Sequence, residues 1–102
     1  MKRSPTFALT PQEVVEACRR QGRALFCAGQ VLALRELMRL HDCNTLQLAE
    51  RSRVSYAMIH AVLNVERFPT TDRLVPMVVS LGQEMHEFDL LAKYSLAAEV
   101  SL

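Results

Sequence analysis

Apolar side chains return along this chain at intervals of three and four residues, the spacing of one face of a helix. Val14, Val15 and Cys18 form a short stripe. Leu25, Phe26, Val31, Leu34, Leu37 and Leu40 form a longer one, with Arg35, Glu36 and Arg39 outside it. Leu46, Leu48 and Ala49 come next, then Met58, Ile59, Val62 and Leu63. A leucine- and valine-rich stretch follows Thr71, and Met85, Phe88, Leu90, Leu91 and Tyr94 close the series. Alternating runs of β-branched and aromatic residues bounded by turns, the mark of strands, are absent. The pattern predicts an all-α domain, with residues 1–9 as a flexible arm and residues 10–102 as one helical unit.

Punctuation residues divide the stripes. In "TPQE", Thr10 is placed to cap a helix, Pro11 to open it and Glu13 to complete a capping box. Gly22 ends or weakens that helix, and a second is expected over about residues 23–41. Gly29 interrupts it, at a cost of about 1 kcal/mol against Ala in an exposed helix interior, or else marks close helix packing. "DCN" breaks the pattern, and Asn44 caps "TLQLAERS". Ser55 caps "YAMIHAVLN". "VERFPTT" is a loop, because the residue before Pro69 is pushed out of the α region. Thr70 or Thr71 is expected to cap a helix that runs to about Leu81 and contains Pro76, where a kink or widened turn is expected. Gly82 is the residue expected just past its end.

The chain has 102 residues and is 50% hydrophobic, enough for one core and too much for a disordered segment. The net charge is only +1, but it is unevenly placed. Residues 1–53 carry nine basic and five acidic side chains, whereas residues 54–102 carry three and six. Ten of the twelve basic residues are Arg, which matches phosphate geometry better than a point charge does. The asymmetry is compatible with nucleic acid meeting the first half of the chain. Cys18, Cys27 and Cys43 are far apart, and His41 and Cys43 lack zinc spacing, so neither a metal nor another cofactor is expected. An odd cysteine count with no signal-like start points to a reducing, cytoplasmic setting. No run approaches the length of a transmembrane helix. Three scattered glycines form no phosphate loop, and no catalytic set is arguable from spacing, so an enzyme is not expected.

Two short helices, Thr45–Ser52 and the one that follows Ser55, are separated by about three residues. That is the pattern of a helix-turn-helix, in which the second helix packs on the first and exposes its own N-terminal turn. Leu48 and the small Ala49 form the packing face of the first helix. Val54 plugs the corner, and Ile59 and Val62 pack back from the second.

On these residues the chain resembles the Cro/CI-type, or XRE-type, helix-turn-helix family. The elements of resemblance are Leu48-Ala49, Val54-Ser55, Ile59, Pro69, Leu74 and Leu81-Gly82, in ungapped register over about residues 34–91. The chain departs from the family pattern at Arg53, where the corner glycine is usual, and at Leu63-Asn64-Val65, where a glycine usually ends the helix. Met38 stands one place before Arg39, where the first helix of the family usually has its arginine. The resemblance implies a five-helix domain, here preceded by an extra N-terminal helix. It implies a transcriptional regulator, a repressor, that binds double-stranded DNA as a homodimer with the helix of residues 56–64 in the major groove.

Carried over position by position, the base-reading residues fall on Tyr56, Ala57, His60 and Ala61. Phosphate contacts fall on Thr45, Ser55, Asn64 and Arg67, with Asn44 helping to present backbone N–H groups and Arg53 flanking the helix. The reading helix has no Arg, Lys or Gln. Tyr56 and His60 are then its polar readers, and Ala57 and Ala61 are suited to thymine methyl groups. Residues 11–21 and the apolar segment from Leu90 onward are both candidate dimer surfaces. Two other readings stand beside this one. The scaffold could serve as a protein-interaction module, or it could read DNA shape, with Lys2 and Arg3 on the arm reaching a minor groove.

Overall fold

A computed structural model describes residues 6–100, so Lys2 and Arg3 lie outside the described residues. All regular structure among the described residues is helical. The six helices are α1 (Pro11–Arg20), α2 (Leu25–Leu40), α3 (Thr45–Ser52), α4 (Tyr56–Leu63), α5 (Thr71–Ser80) and α6 (Met85–Glu99).

Helices α1, α3 and α4 begin where a side chain satisfies their free N–H groups, whereas α2 starts at Ala24 and α5 at Thr70 with no side-chain cap bond. Thr10 Oγ1 accepts from Glu13 N at 3.2 Å, and Glu13 Oε1 accepts from Thr10 N at 2.9 Å. These backbone and hydroxyl hydrogen bonds hold the Glu13 carboxyl below the usual carboxylate range. Asn44 and Gln47 make the same reciprocal pair at the start of α3, at 2.8 and 2.9 Å. Ser55 Oγ accepts from Met58 N at 3.1 Å and starts α4.

Four helices end alike. The residue past the cap turns left-handed, and two backbone N–H groups reach back to the last carbonyls. After α1, Gly22 (φ 66°) donates to Arg19 O and Arg23 to Cys18 O. After α5, Gly82 (φ 78°) and Gln83 repeat this on Val79 and Val78. After α2 the left-handed residue is Asp42 (φ 49°), and after α4 it is Val65 (φ 60°). A β-branched residue in that region is an outlier that the surroundings must enforce.

The core gathers one face of each helix. Val14, Cys18, Leu34, Leu37, Met38, Leu48, Ile59, Met77, Val78 and Phe88 are all essentially sealed from water. Gly29 explains how α2 and α6 pack. A Cβ there would collide with the carbonyl oxygen of Ala92 and lie 3.3 Å from Leu96 Cβ. Close helix packing, one of the two expectations for this glycine, is what occurs.

Several expectations need correction. Leu40 and Leu46 fall on apolar stripes of the sequence but are 60% and 57% exposed. Tyr94 is 73% exposed, because α6 turns Phe88 and Ala92 inward against α2. α5 runs unbroken through Pro76, even though the proline removes one backbone donor. Within the expected arm, Phe7 and Leu9 pack against the core. The Arg35 guanidinium lies 4.5 Å above the centre of the Phe7 ring. Arg35 is therefore half-buried, and that burial lowers the pKa of its guanidinium.

Candidate nucleic-acid interface

The corner between α3 and α4 is made by residues 53–55. Ser52 is buried, and its hydroxyl does two things at once. It donates to Leu48 O at 2.7 Å and accepts from Val54 N at 3.2 Å. Arg53 takes the left-handed conformation (φ 59°, ψ 22°), and its N–H donates to Ala49 O at 2.9 Å. A corner that usually calls for glycine is thus formed with an arginine, whose side chain stays exposed. The left-handed region costs a non-glycine residue roughly 1–2 kcal/mol. Val54, 7% exposed, fills the inside of the corner.

The corner fixes which face of α4 points outward. Ile59, Val62 and Leu63 are buried, and Met58 is half-buried. Tyr56, Ala57 and His60 are exposed, and Ala61 is half-buried beside them. Tyr56, His60 and Asn64 follow one another at four-residue steps along this face. The Tyr56 and His60 rings stack, with centroids 6.0 Å apart and planes 20° from parallel. Asn64 Nδ2 donates to His60 O at 2.9 Å and lies 3.4 Å from both ring nitrogens of His60. One amide hydrogen of Asn64 is thereby committed to its own helix, which narrows the phosphate contact expected of it.

At the start of α3, the Asn44 side chain is committed to capping. What it leaves open is the helix end it shapes. The amides of half-buried Thr45 and exposed Leu46 precede the capped Gln47 amide and lie at the positive end of the helix.

The other end of α4 is tied to a distant part of the chain. Val65, buried and left-handed, accepts at its carbonyl from Gln21 Nε2 at 2.7 Å. Arg23, two residues further on, places its guanidinium 4.7 Å over the centre of the Phe68 ring. The α1–α2 turn and the loop after α4 are thereby clasped together. Arg67, exposed, lies within that loop.

The charged side chains divide into two groups. Arg19 pairs with Glu16, and Arg39 pairs with Glu36, each within one helix and on the surface. The Arg39 guanidinium beside Glu36 holds that carboxyl below its usual range. By contrast, Arg20, Arg23, Arg51, Arg53, Arg67 and Arg73 have no carboxylate within ion-pair distance among the described residues. All six are exposed. Burial pushes the thiols of Cys18 and Cys43 upward, which keeps them protonated and unreactive. Among the described residues, no group of three or more His, Cys, Asp or Glu could hold a metal ion. No described helix is long and apolar enough to cross a membrane.

The structure therefore brings Arg53, Ser55, Tyr56, Ala57, His60, Ala61 and Asn64 together on and around α4. Thr45 and Asn44 sit at the start of α3, and Arg67 lies beyond the C-terminal end of α4. The Gln21–Val65 clasp and the Arg23–Phe68 stack had no signal in the sequence, because each joins residues more than forty positions apart. Comparison of the chain with protein-family models, curated proteins and solved structures finds no match.

Proposed function

We propose that this chain is a sequence-specific DNA-binding regulator of the Cro/CI-like helix-turn-helix type, a repressor that acts as a homodimer in the cytoplasm. One observation carries the reading. Two eight-residue helices meet at a three-residue corner that points Tyr56, Ala57 and His60 outward from an otherwise packed helix. A reading helix needs that outward face, and a plain bundle helix of the same length has no reason to stack polar rings on it.

In this reading α4 enters the major groove. Tyr56 and His60 supply the polar contacts, and Ala57 and Ala61 leave room for thymine methyl groups. Affinity comes mainly from the phosphate backbone. Arg53 and Arg67 flank α4 at its two ends, and the helix start at Asn44 and Thr45 offers backbone N–H groups to a phosphate. Ser55 caps the helix and sits where a strand would pass.

A helix of eight residues spans only about 12 Å, which covers three or four base pairs. A second half-site from a second copy is therefore required. Of the two candidate dimer surfaces, the α6 surface is the better suited. α1 buries its apolar residues Val14, Val15, Ala17 and Cys18 in its own core. α6 instead leaves Leu90 and Tyr94 52% and 73% exposed.

The exposed Leu40 and Leu46 favour a second reading, in which the same scaffold docks a protein partner. Equilibrium binding of the chain to many duplex sequences over a salt series decides between the two. The DNA reading expects a steep salt dependence and a preference among sequences that is lost when Tyr56 and His60 are both changed to Ala. Weak binding with no preference, even at low salt, leaves the protein-docking reading.

A further inference from the structure

Among the described residues, Arg53 and Arg67 flank α4 without ion-pair partners, and Arg20 and Arg23, also without one, lie outside its helix pair. They belong to the end of α1 and the turn that follows it. That turn is held against the C-terminal end of α4 by two contacts. Gln21 Nε2 reaches Val65 O at 2.7 Å, and the Arg23 guanidinium lies 4.7 Å over Phe68. The turn itself ends α1 in a fixed left-handed form at Gly22 (φ 66°), so its direction is set by backbone hydrogen bonds.

From this juxtaposition we infer that the α1–α2 turn is a second phosphate-binding element, which grips the DNA strand that leaves the groove beyond the C-terminal end of α4. The inference rests on the DNA reading above. It adds a site at the end of α1 and the turn that follows it, outside the α3–α4 pair.

The chemistry fits a phosphate backbone. Arg20, Arg23 and Arg67 are all exposed, and guanidinium groups bind phosphate oxygens in a forked, two-bond geometry. Arg23 Cζ lies 4.7 Å from the centre of the Phe68 ring, and no side-chain hydrogen bond engages the guanidinium among the described residues. The carboxylates nearest in sequence are Glu16, paired with Arg19, and Glu66, beside Arg67. Neither is within ion-pair distance of these arginines among the described residues. A contact to phosphate carries no sequence information. The turn should therefore strengthen binding to every duplex equally and lengthen the contacted segment.

The test uses the whole chain and a duplex recovered from a random pool by the unaltered protein. Affinity is measured across a salt series for the unaltered chain, Arg20→Ala, Arg23→Gln and the double variant. Arg19→Ala, which removes a side chain already paired with Glu16, is the control. Each lost phosphate contact makes the logarithmic salt slope shallower by about 0.9. The double variant is expected to lose about 1–2 units of slope and to weaken on selected and random duplexes alike. Hydroxyl-radical protection of the outermost backbone deoxyriboses is expected to disappear with it.

Thermal unfolding separates this from loss of the clasp. Arg20→Ala makes neither clasp contact and is expected to melt like the unaltered chain while still losing slope. A double variant with an unchanged slope and footprint would overturn the inference and leave the DNA reading intact. An unaltered chain that binds no duplex would overturn both.

Discussion

Where α2 passes α6, the two backbones approach so closely that Gly29 has no room for a Cβ against the Ala92 carbonyl. Where α3 meets α4, contact is limited to the inner sides of two short helices, and the outer side of α4 carries stacked rings open to solvent. The first pair is held by close packing over two long helices. The second is held by a few directed bonds at its ends: Ser52 to Leu48 and Val54, Ser55 to Met58, and Gln21 to Val65. Separate regions thus provide stability and presentation. A helix that leaves one face open cannot be held on both sides, so its position has to be fixed at its termini.

The two pairs should respond differently to substitution. Gly29→Val strikes the closed pair. The obstacle is backbone, so the helices must separate, at a cost of about 3 kcal/mol. A loss of that size lowers Tm by roughly 12–24 °C for a domain of this size. A melt within a few degrees of the unaltered protein would break the comparison.

Ser52→Ala strikes the open pair at its corner. It strands the buried Val54 N–H, at a cost of about 1–3 kcal/mol by denaturant unfolding. Val65 sharpens the point at the other end of α4. Val65→Ala loses buried methyl groups and should cost about 1–2 kcal/mol. Val65→Gly loses more surface but relieves the left-handed backbone, so it should be no worse than the Ala variant. If Gly were clearly the more damaging, Val65 would not be strained.

On the outward face, changing Tyr56 and His60 together to Ala should alter stability by no more than about 0.5 kcal/mol, because their rings are exposed. The smallest effect concerns α1. Glu13 has a lowered pKa in the fold, so its stabilising contribution is present above the ordinary carboxylate range. That contribution is lost as pH falls through the lowered value. Unfolding curves of Glu13→Gln and the unaltered chain should therefore converge as the solution is acidified.

The parts legible in the sequence are those with local causes. Thr10 with Glu13, Asn44, Ser55 with Met58, and Gly82 after Leu81 act within a few residues, and each helix boundary they announce is found in place. The buried side of α4 is likewise written in the spacing of Ile59, Val62 and Leu63. What lay hidden depends on which helix faces which. Leu46 looks like a core residue on its own helix, and only the way α3 packs turns it outward. Arg35 looks like a solvated charge until Phe7 folds over it. The residues that fix the far end of α4 escaped because Gln21 and Val65 are 44 positions apart. The lack of Arg, Lys and Gln on α4 acquires a simpler meaning in this setting. The arginines stand at the ends of the helix and on the turn clasped to it, where phosphates would pass.

Whether α4 reads DNA is decided by selection of bound duplexes from a random pool by the intact chain, followed by sequencing. A reading helix enriches a two-fold symmetric site whose half-sites are centred about one helical turn apart, 10–10.5 base pairs. A pool that stays random through repeated rounds at low salt would contradict it.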